Sequence, residues 1–235
     1  MSQKKIFKTK EGSYTFYLPD LDEYYHSWFG AIGESKHVYI ENGLMFFKKW
    51  QKDNKEIRIL EIGLGTGLNA LLTYLICEKN KEHTIKYTSL ETSPLSKEEF
   101  SLLNYPEMLK LSPEQASFFQ DIHTSSWEKS HQALTNFYFK KKMTSLLSVE
   151  LEKKHYDVVY FDAFSPKVQP ELWEKDVFSK IYQSMSDKSV LVTYSSQGQV
   201  KEAIRNALFH LERLKGALGK HHMLRALKGH EKPNS

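Results

Sequence analysis

Cysteine is almost missing from this 235-residue chain: the single thiol, Cys77, excludes an internal disulfide and any cluster of thiolate metal ligands. Long hydrophobic runs are missing too. Lys, Glu or Asp interrupts each one well before the roughly 18 residues that a membrane helix requires, so no membrane span is expected. The opening stretch, Met1 to Lys8, is basic but has neither the apolar run nor the small-residue cleavage site of a secretory signal, and the expected location is the cytoplasm. Glycine and proline number only 11 and 7 and nowhere gather into a linker, which predicts one domain over residues 1–235. Charge of one sign is also scarce. A net charge of +4 cannot by itself establish a nucleic-acid partner. The basic groups do cluster, at Lys4 to Lys10, Lys48 and Lys49, Lys140 to Lys142, and Arg213 to Lys228. Each cluster alone is what a solvated face looks like, and only their convergence in space would make an RNA-binding surface.

What is present reads as an α/β chain. With 40% hydrophobic and 13% aromatic residues it can bury a sizeable core. Residues Ile6 to Leu18 alternate about Glu11-Gly12-Ser13, which predicts a β-hairpin, and residues 1–56 are expected to form a hairpin and lid region. Asp22 to Ser35 mixes aromatics with small polar groups and suits a ligand-facing loop, with plain packing as the alternative; Leu44 to Gln51 reads as a short helix. From Ile57 onward apolar strands alternate with helical stretches, the pattern of parallel βαβ units. Strands are predicted at 58–62, 85–90, 137–143, 156–161 and 189–194, with 211–216 and 222–227 as a closing antiparallel pair. The expectation is a Rossmann-like core over 57–228, a mostly parallel seven-stranded sheet with helices on both faces, and a disordered tail over 229–235.

Three places carry chemistry. Glu61-Ile-Gly-Leu-Gly-Thr-Gly-Leu-Asn69 joins a buried strand to a helix, and Gly63, Gly65 and Gly67 let the backbone pass close to a nucleoside. A dinucleotide fingerprint would put its third glycine at 68, where Leu68 stands, whereas Gly-x-Gly-x-Gly is the form typical of methyltransferases. S-adenosylmethionine has no pyrophosphate, and its cationic sulfur suits the nearby Glu61. Glu91 ends the second strand, where a carboxylate can accept both ribose hydroxyls; alone it could equally cap a helix. Phe161-Asp-Ala-Phe-Ser-Pro166 and Gln169-Pro-Glu-Leu-Trp173 put Asp162 and a rigid turn at the end of the fourth strand. There Asp162 could orient a nucleophile or take its proton, or simply cap a helix, while Phe164, Pro166 and Trp173 could wall out water.

Taken together, Tyr-Tyr-His-Ser near residue 25, Gly-Glu-Ser-Lys-His-Val-Tyr-Ile-Glu from 33, the glycine turn, Asp-Ala-Phe-Ser-Pro-Lys with Pro-Glu-Leu-Trp, and Thr193-Tyr-Ser-Ser-Gln-Gly198 resemble one family from about Lys5 to Leu227. The chain is similar to stand-alone, MnmD-like counterparts of the methyltransferase half of MnmC, the bifunctional enzyme of tRNA wobble-uridine modification. The resemblance implies methyl transfer from S-adenosylmethionine to the 5-aminomethyl nitrogen of a (2-thio)uridine at position 34, without a metal, on tRNA held by its anticodon loop. The aminomethyl substrate would be made elsewhere. It also implies Asp162 as the catalytic residue; Glu61, Gly63, Gly65, Gly67, Asn69, Glu91 and Ser145 at the cofactor; and Tyr25, Ser27, Glu34, Phe164, Pro166 and Lys220 at the acceptor. Tyr25, Trp28 or Phe164 would stack the splayed base. Ser145 stands where the family carries an acid, for which Asp121 could substitute only with a different strand placement. Asp187-Lys188-Ser189 replaces Pro-Gly-Gly, and Gly219-Lys-His-His-Met223 replaces Gly-Lys-Arg-Glu-Met. The rival readings are transfer of a methyl or aminopropyl group to a small amine, and a catalytically silent RNA-binding module.

Overall fold

The computed structural model describes residues 4–229, so residues 230–235 of the expected tail lie outside the described residues. The N-terminal hairpin forms, and gains a third strand. Strands β1 (Lys5–Lys8) and β2 (Tyr14–Leu18) pair antiparallel, and β3 (Glu23–Tyr24) adds beyond β2. Phe16 and Leu18 point from this small sheet into the main core.

The loop read over Asp22–Ser35 is present only as far as residue 30, and the short helix read at Leu44–Gln51 is the end of a longer one that runs from residue 31 to residue 50. Helix α1 (Ala31–Ser35) runs without a break through a π-helical stretch (Lys36–Met45) into α2 (Phe46–Trp50). A π-helix is rare because its i→i+5 winding leaves poorer packing along the axis, and it persists where tertiary contacts hold it. Here Val38, Tyr39, Ile40 and Leu44 are all buried. Gly43 allows the close approach: a Cβ there would meet Val192 Cγ2 at 2.9 Å and Tyr160 Cε1 at 3.2 Å.

The chain then alternates strand and helix. The succession is β4 (Glu56–Ile62), α3 (Leu68–Lys79), β5 (Thr84–Glu91), α4 (Lys97–Phe100), α5 (Tyr105–Leu109), α6 (Pro113–Thr124), β6 (Ser130–Leu134), β7 (Phe137–Met143) and β8 (Tyr156–Phe161). A 3-10 turn (Pro170–Trp173) precedes α7 (Lys175–Ser184), β9 (Met185–Thr193), α8 (Gly198–Asn206), β10 (His210–Lys215) and β11 (His222–Lys228). Ser96 and Ser112 start α4 and α6 with reciprocal capping boxes through Glu99 and Gln115.

The large sheet has eight strands rather than seven, in the order β10-β11-β9-β8-β4-β5-β7-β6. The additional strand is β6, a polar, partly exposed edge strand antiparallel to β7. β4, β5, β7, β8 and β9 run parallel, and β10 and β11 close the other edge antiparallel. Side chains alternate across it. Ile59, Tyr87, Val158 and Tyr160 face the π-helical stretch and α3, whereas Leu60, Ile62, Val159 and Phe161 face α7 and α8. Burying each such side chain contributes roughly 1.5–3 kcal/mol over leaving it exposed. The strand order reverses between β4 and β8, and ligands of open α/β sheets bind beyond the carboxyl ends of strands at such a crevice. No helix among the described residues is long and apolar enough to cross a membrane.

Candidate active site

A cavity of about 790 Å³ opens at the carboxyl ends of β4, β5 and β8. One lobe is built on the turn after β4. Gly63 has φ 88°, and a Cβ on it would lie 2.7 Å from the Asp162 carbonyl oxygen, so two strand ends meet here only because the residue is glycine. Gly65 has φ 52°, with the Tyr25 ring 3.2 Å from where its Cβ would be. Glu91 fixes the turn: its Oε2 accepts the Gly65 N–H at 2.9 Å, and its Oε1 accepts those of Thr92 and Ser93 at 2.8 and 2.7 Å. Ser145 lines the same lobe with Thr144 and Leu146. Asp121 is exposed on α6 and does not line the cavity.

Two members of the expected cofactor set stand apart from the wall. Gly67 packs behind the turn, where a Cβ would meet Ile122 of α6 at 2.7 Å. Glu61 is fully buried, does not line the cavity, and accepts the Ser89 hydroxyl at 2.7 Å. Glu61 shares its sheet face with Tyr160 and Asp162 but sits one register position before the end of β4, deeper than Asp162, with its carboxylate turned to Ser89 of β5. Burial raises the Glu61 carboxyl to about 8, with the nearby Asp162 charge adding to the shift. Burial thus favours the protonated form of Glu61.

The other lobe centres on Asp162, delivered by the end of β8. Both carboxylate oxygens are engaged: Tyr39 donates its hydroxyl to Oδ1 at 2.5 Å, and Asn69 donates Nδ2–H to Oδ2 at 2.8 Å. Burial drives the Asp162 pKa up, Glu34 adds to the rise, and the Tyr39 and Asn69 hydrogen bonds and the Lys220 charge oppose it, leaving a value of about 7. Lys220 pairs with Glu34 at 2.5 Å, and its ammonium lies 4.1 Å from the centre of the Tyr194 ring. Glu34 also accepts the Ser27 N–H at 2.7 Å. His26, on the same wall, bonds Thr66 Oγ1 at 2.7 Å, and burial lowers its pKa to about 4, which keeps it neutral. Tyr25 and Phe164 meet edge to face at 5.1 Å. Pro166 and Trp173 lie behind this wall rather than on it; Trp173 donates its indole N–H to the Phe164 carbonyl at 2.8 Å and so sets the turn.

The cavity thus gathers Gly63, Gly65, Asn69, Glu91, Ser145, Tyr25, Ser27, Glu34, Phe164, Lys220 and Asp162. Sequence reasoning gave no role to Tyr39 or Tyr194, and placed Asn69 at the cofactor rather than on the carboxylate. Tyr39 lay within a motif already singled out, and a tyrosine in an otherwise aliphatic run was its only mark. Among the described residues no group of three or more His, Cys, Asp or Glu is placed to hold a metal ion.

A Rossmann-like sheet, a glycine turn braced by an acid and a carboxylate across the switch point define a methyltransferase that uses a nucleoside-borne methyl donor. A family model described as S-adenosyl-L-methionine-dependent methyltransferase matches residues 108–229, and the chain belongs to that family. The bifunctional protein MnmC of tRNA 5-methylaminomethyl-2-thiouridine biosynthesis from Azoarcus sp. (strain BH72) is 30% identical over 220 residues, covering 90% of this chain and 34% of that protein. Its counterpart in Leptospira interrogans serovar Lai is 29% identical over 214 residues, covering 86% and 32%. The chain spans about a third of the length of these curated relatives. Among solved structures, MNMC2 from Aquifex aeolicus superposes with a TM-score of 0.74 at 24% identity, covering 97% of this chain and 71% of that one. Spermidine synthase from Thermotoga maritima gives 0.54 at 12% identity, covering 98% and 73%. Both likenesses are of fold.

The family uses S-adenosylmethionine, and the residues present fit it. Gly63 and Gly65 present bare backbone to the cavity, Glu91 stands beside them, and the buried Asn69 Oδ1 has no hydrogen-bond partner.

Proposed function

We propose that this chain methylates the primary amine of 5-aminomethyl-(2-thio)uridine at wobble position 34 of tRNA, working in the cytoplasm as one domain whose first 56 residues form the acceptor-side lid. The observation that carries the reading is Asp162: a carboxylate balanced near neutrality, held at both oxygens, between the glycine cradle and an acid-lined second lobe. The names of the curated relatives supply the acceptor.

When bound, S-adenosylmethionine supplies a methyl group on cationic sulfur; Gly63, Gly65, Glu91 and Ser145 would hold it. An aliphatic amine is mostly protonated at neutral pH and has no lone pair for attack. Asp162 accepts that proton, which a carboxylate with a pKa of about 7 does while remaining substantially ionised at physiological pH. Tyr39 and Asn69 keep its oxygens from rotating, so the amine is aligned as it is deprotonated. Glu34, Glu23 and Asp162 make the lobe favour a cation, and the edge-to-face pair Tyr25 and Phe164 gives a flat apolar wall for a splayed base.

The test is methyl transfer from labelled S-adenosylmethionine to bulk tRNA from a strain deleted for this gene, with nucleoside analysis of the product. Labelled 5-methylaminomethyl nucleoside at position 34 is expected. Label on a polyamine precursor instead, with none on tRNA, would favour the small-amine reading, and no binding of S-adenosylmethionine by calorimetry would favour a silent module.

A further inference from the structure

The small N-terminal sheet has two unlike faces. Phe16 and Leu18 on one face enter the core. On the other, Lys5, Tyr17 and Tyr24 lie directly opposite one another in register, and Phe7 follows Lys5 on the same side. Four rings run across this outer face in contact: Tyr17 to Tyr24 at 4.7 Å, Tyr24 to Phe7 at 4.9 Å, and Phe7 to Trp28 at 5.7 Å with planes only 27° apart. Trp28 ends the run and is 47% exposed. Tyr24 and Trp28 also line the cavity mouth, so the strip leads directly to the acceptor lobe. Lysines accompany it. Lys5 is exposed on the same face, and the Lys10 ammonium lies 5.2 Å from the centre of the Trp28 ring and 4.9 Å from that of Phe29.

Three of these rings are half-buried and Trp28 is exposed, and rings interleaved with flexible cations match unpaired nucleotides, whose bases stack while their phosphates meet the ammonium groups. Duplex RNA offers no bases to stack. We propose that this outer face seats the unpaired RNA nucleotides flanking the base that enters the cavity, with Trp28 and Tyr17 as stacking platforms and Lys5 and Lys10 on the phosphates. The inference rests on the RNA reading above and adds to it where the neighbours of the acceptor sit.

The test uses the full chain and a stem-loop RNA carrying the anticodon loop with plain uridine at position 34, followed by fluorescence anisotropy over a salt series. Trp28→Ala and Tyr17→Ala are each expected to weaken binding about tenfold, equivalent to about 1.4 kcal/mol, with melting temperature and S-adenosylmethionine affinity kept; Trp28→Phe should retain most of the binding. Lys5→Ala with Lys10→Ala should flatten the plot of log K against log salt by about 0.7 for each phosphate no longer neutralised. Unchanged affinity in both aromatic variants, with the wild type still methylating tRNA, overturns this inference alone. A loopless duplex binding as tightly as the stem-loop overturns it as well. A wild type that neither binds the stem-loop nor methylates tRNA overturns both this inference and the RNA reading.

Discussion

Tyr39 donates its hydroxyl to Asp162 at 2.5 Å, joining a π-helical stretch to the end of β8 across 123 positions of sequence. The bond favours the ionised carboxylate while burial opposes it, and the balance puts Asp162 at about 7. Burial, and after it the Asp162 charge, raises the pKa of Tyr39, so the shared proton stays on the phenol.

Tyr39→Phe removes a stabiliser of the charged form, so the Asp162 pKa must rise further. A hydrogen bond to a charged group contributes roughly 1.5–3 kcal/mol, and one pKa unit is about 1.4 kcal/mol. The acidic limb of the kcat/KM profile is expected to move about one unit to higher pH, with activity severalfold lower at pH 7 and close to wild type at pH 9. A loss of equal size at every pH would assign Tyr39 a purely structural part.

Asp162→Asn keeps the shape and removes the proton acceptor. Its new amide would face the Asn69 amide, but Asn69 can rotate to present its unpartnered Oδ1, so the site need not collapse. Turnover is expected to fall by about 10²–10⁴ while calorimetry finds S-adenosylmethionine binding within a few-fold of wild type. Full turnover would remove Asp162 from the chemistry.

Glu61 gives a stability prediction. Its folded pKa of about 8 lies above the ordinary value of 4.5, so the folded state holds its proton where the unfolded chain has lost it. Its contribution is therefore fully present below about pH 4.5 and declines as pH rises towards 8. Glu61→Gln carries no such proton. Urea melts should show the variant gaining on wild type from pH 6 to pH 8 by at least about 1 kcal/mol, or roughly 2–4 °C in Tm for a chain of this size.

The two cradle glycines should respond differently to alanine. At Gly63 a Cβ would strike backbone, the Asp162 carbonyl, at 2.7 Å. Gly63→Ala is expected to cost about 1–3 kcal/mol of stability and to abolish activity by moving Asp162. At Gly65 the neighbour is the Tyr25 ring at 3.2 Å, which can give way. Gly65→Ala still carries the left-handed strain of φ 52°, at the lower end of about 1–3 kcal/mol, but spares the Asp162 strand end and should lose mainly S-adenosylmethionine affinity, a split that melting and calorimetry resolve.

The parallel core was legible because strands covered on both faces are written as apolar runs, as in Tyr156–Phe161, and because the glycine turn has its own spacing. The edge strand β6 was not, since Ser130–Leu134 is partly exposed and lacks an apolar alternation. The helix over 31–50 was hidden by its winding: a π-helical stretch has no 3.6-residue repeat to detect, and the aromatics before it look like a loop. Glu61 adjoins the glycine turn in sequence, yet its depth along β4 and its bond to Ser89 of the neighbouring strand, neither visible in the sequence, take its carboxyl away from the cavity. The cavity partners of Asp162 arrive from residues 34, 39, 69 and 220, and only the folded sheet brings them together.

The acceptor lobe is closed by contacts between stretches far apart in the chain. Gly219 lies flat against the Phe29 ring, where any Cβ would collide with it, and Lys220 pairs with Glu34. The last of these stretches leads into β11, whose Met223, Leu224 and Ala226 are fully buried between β9 and β10. The chamber for the molecule that receives the methyl group is therefore finished only when the end of the chain has joined the sheet.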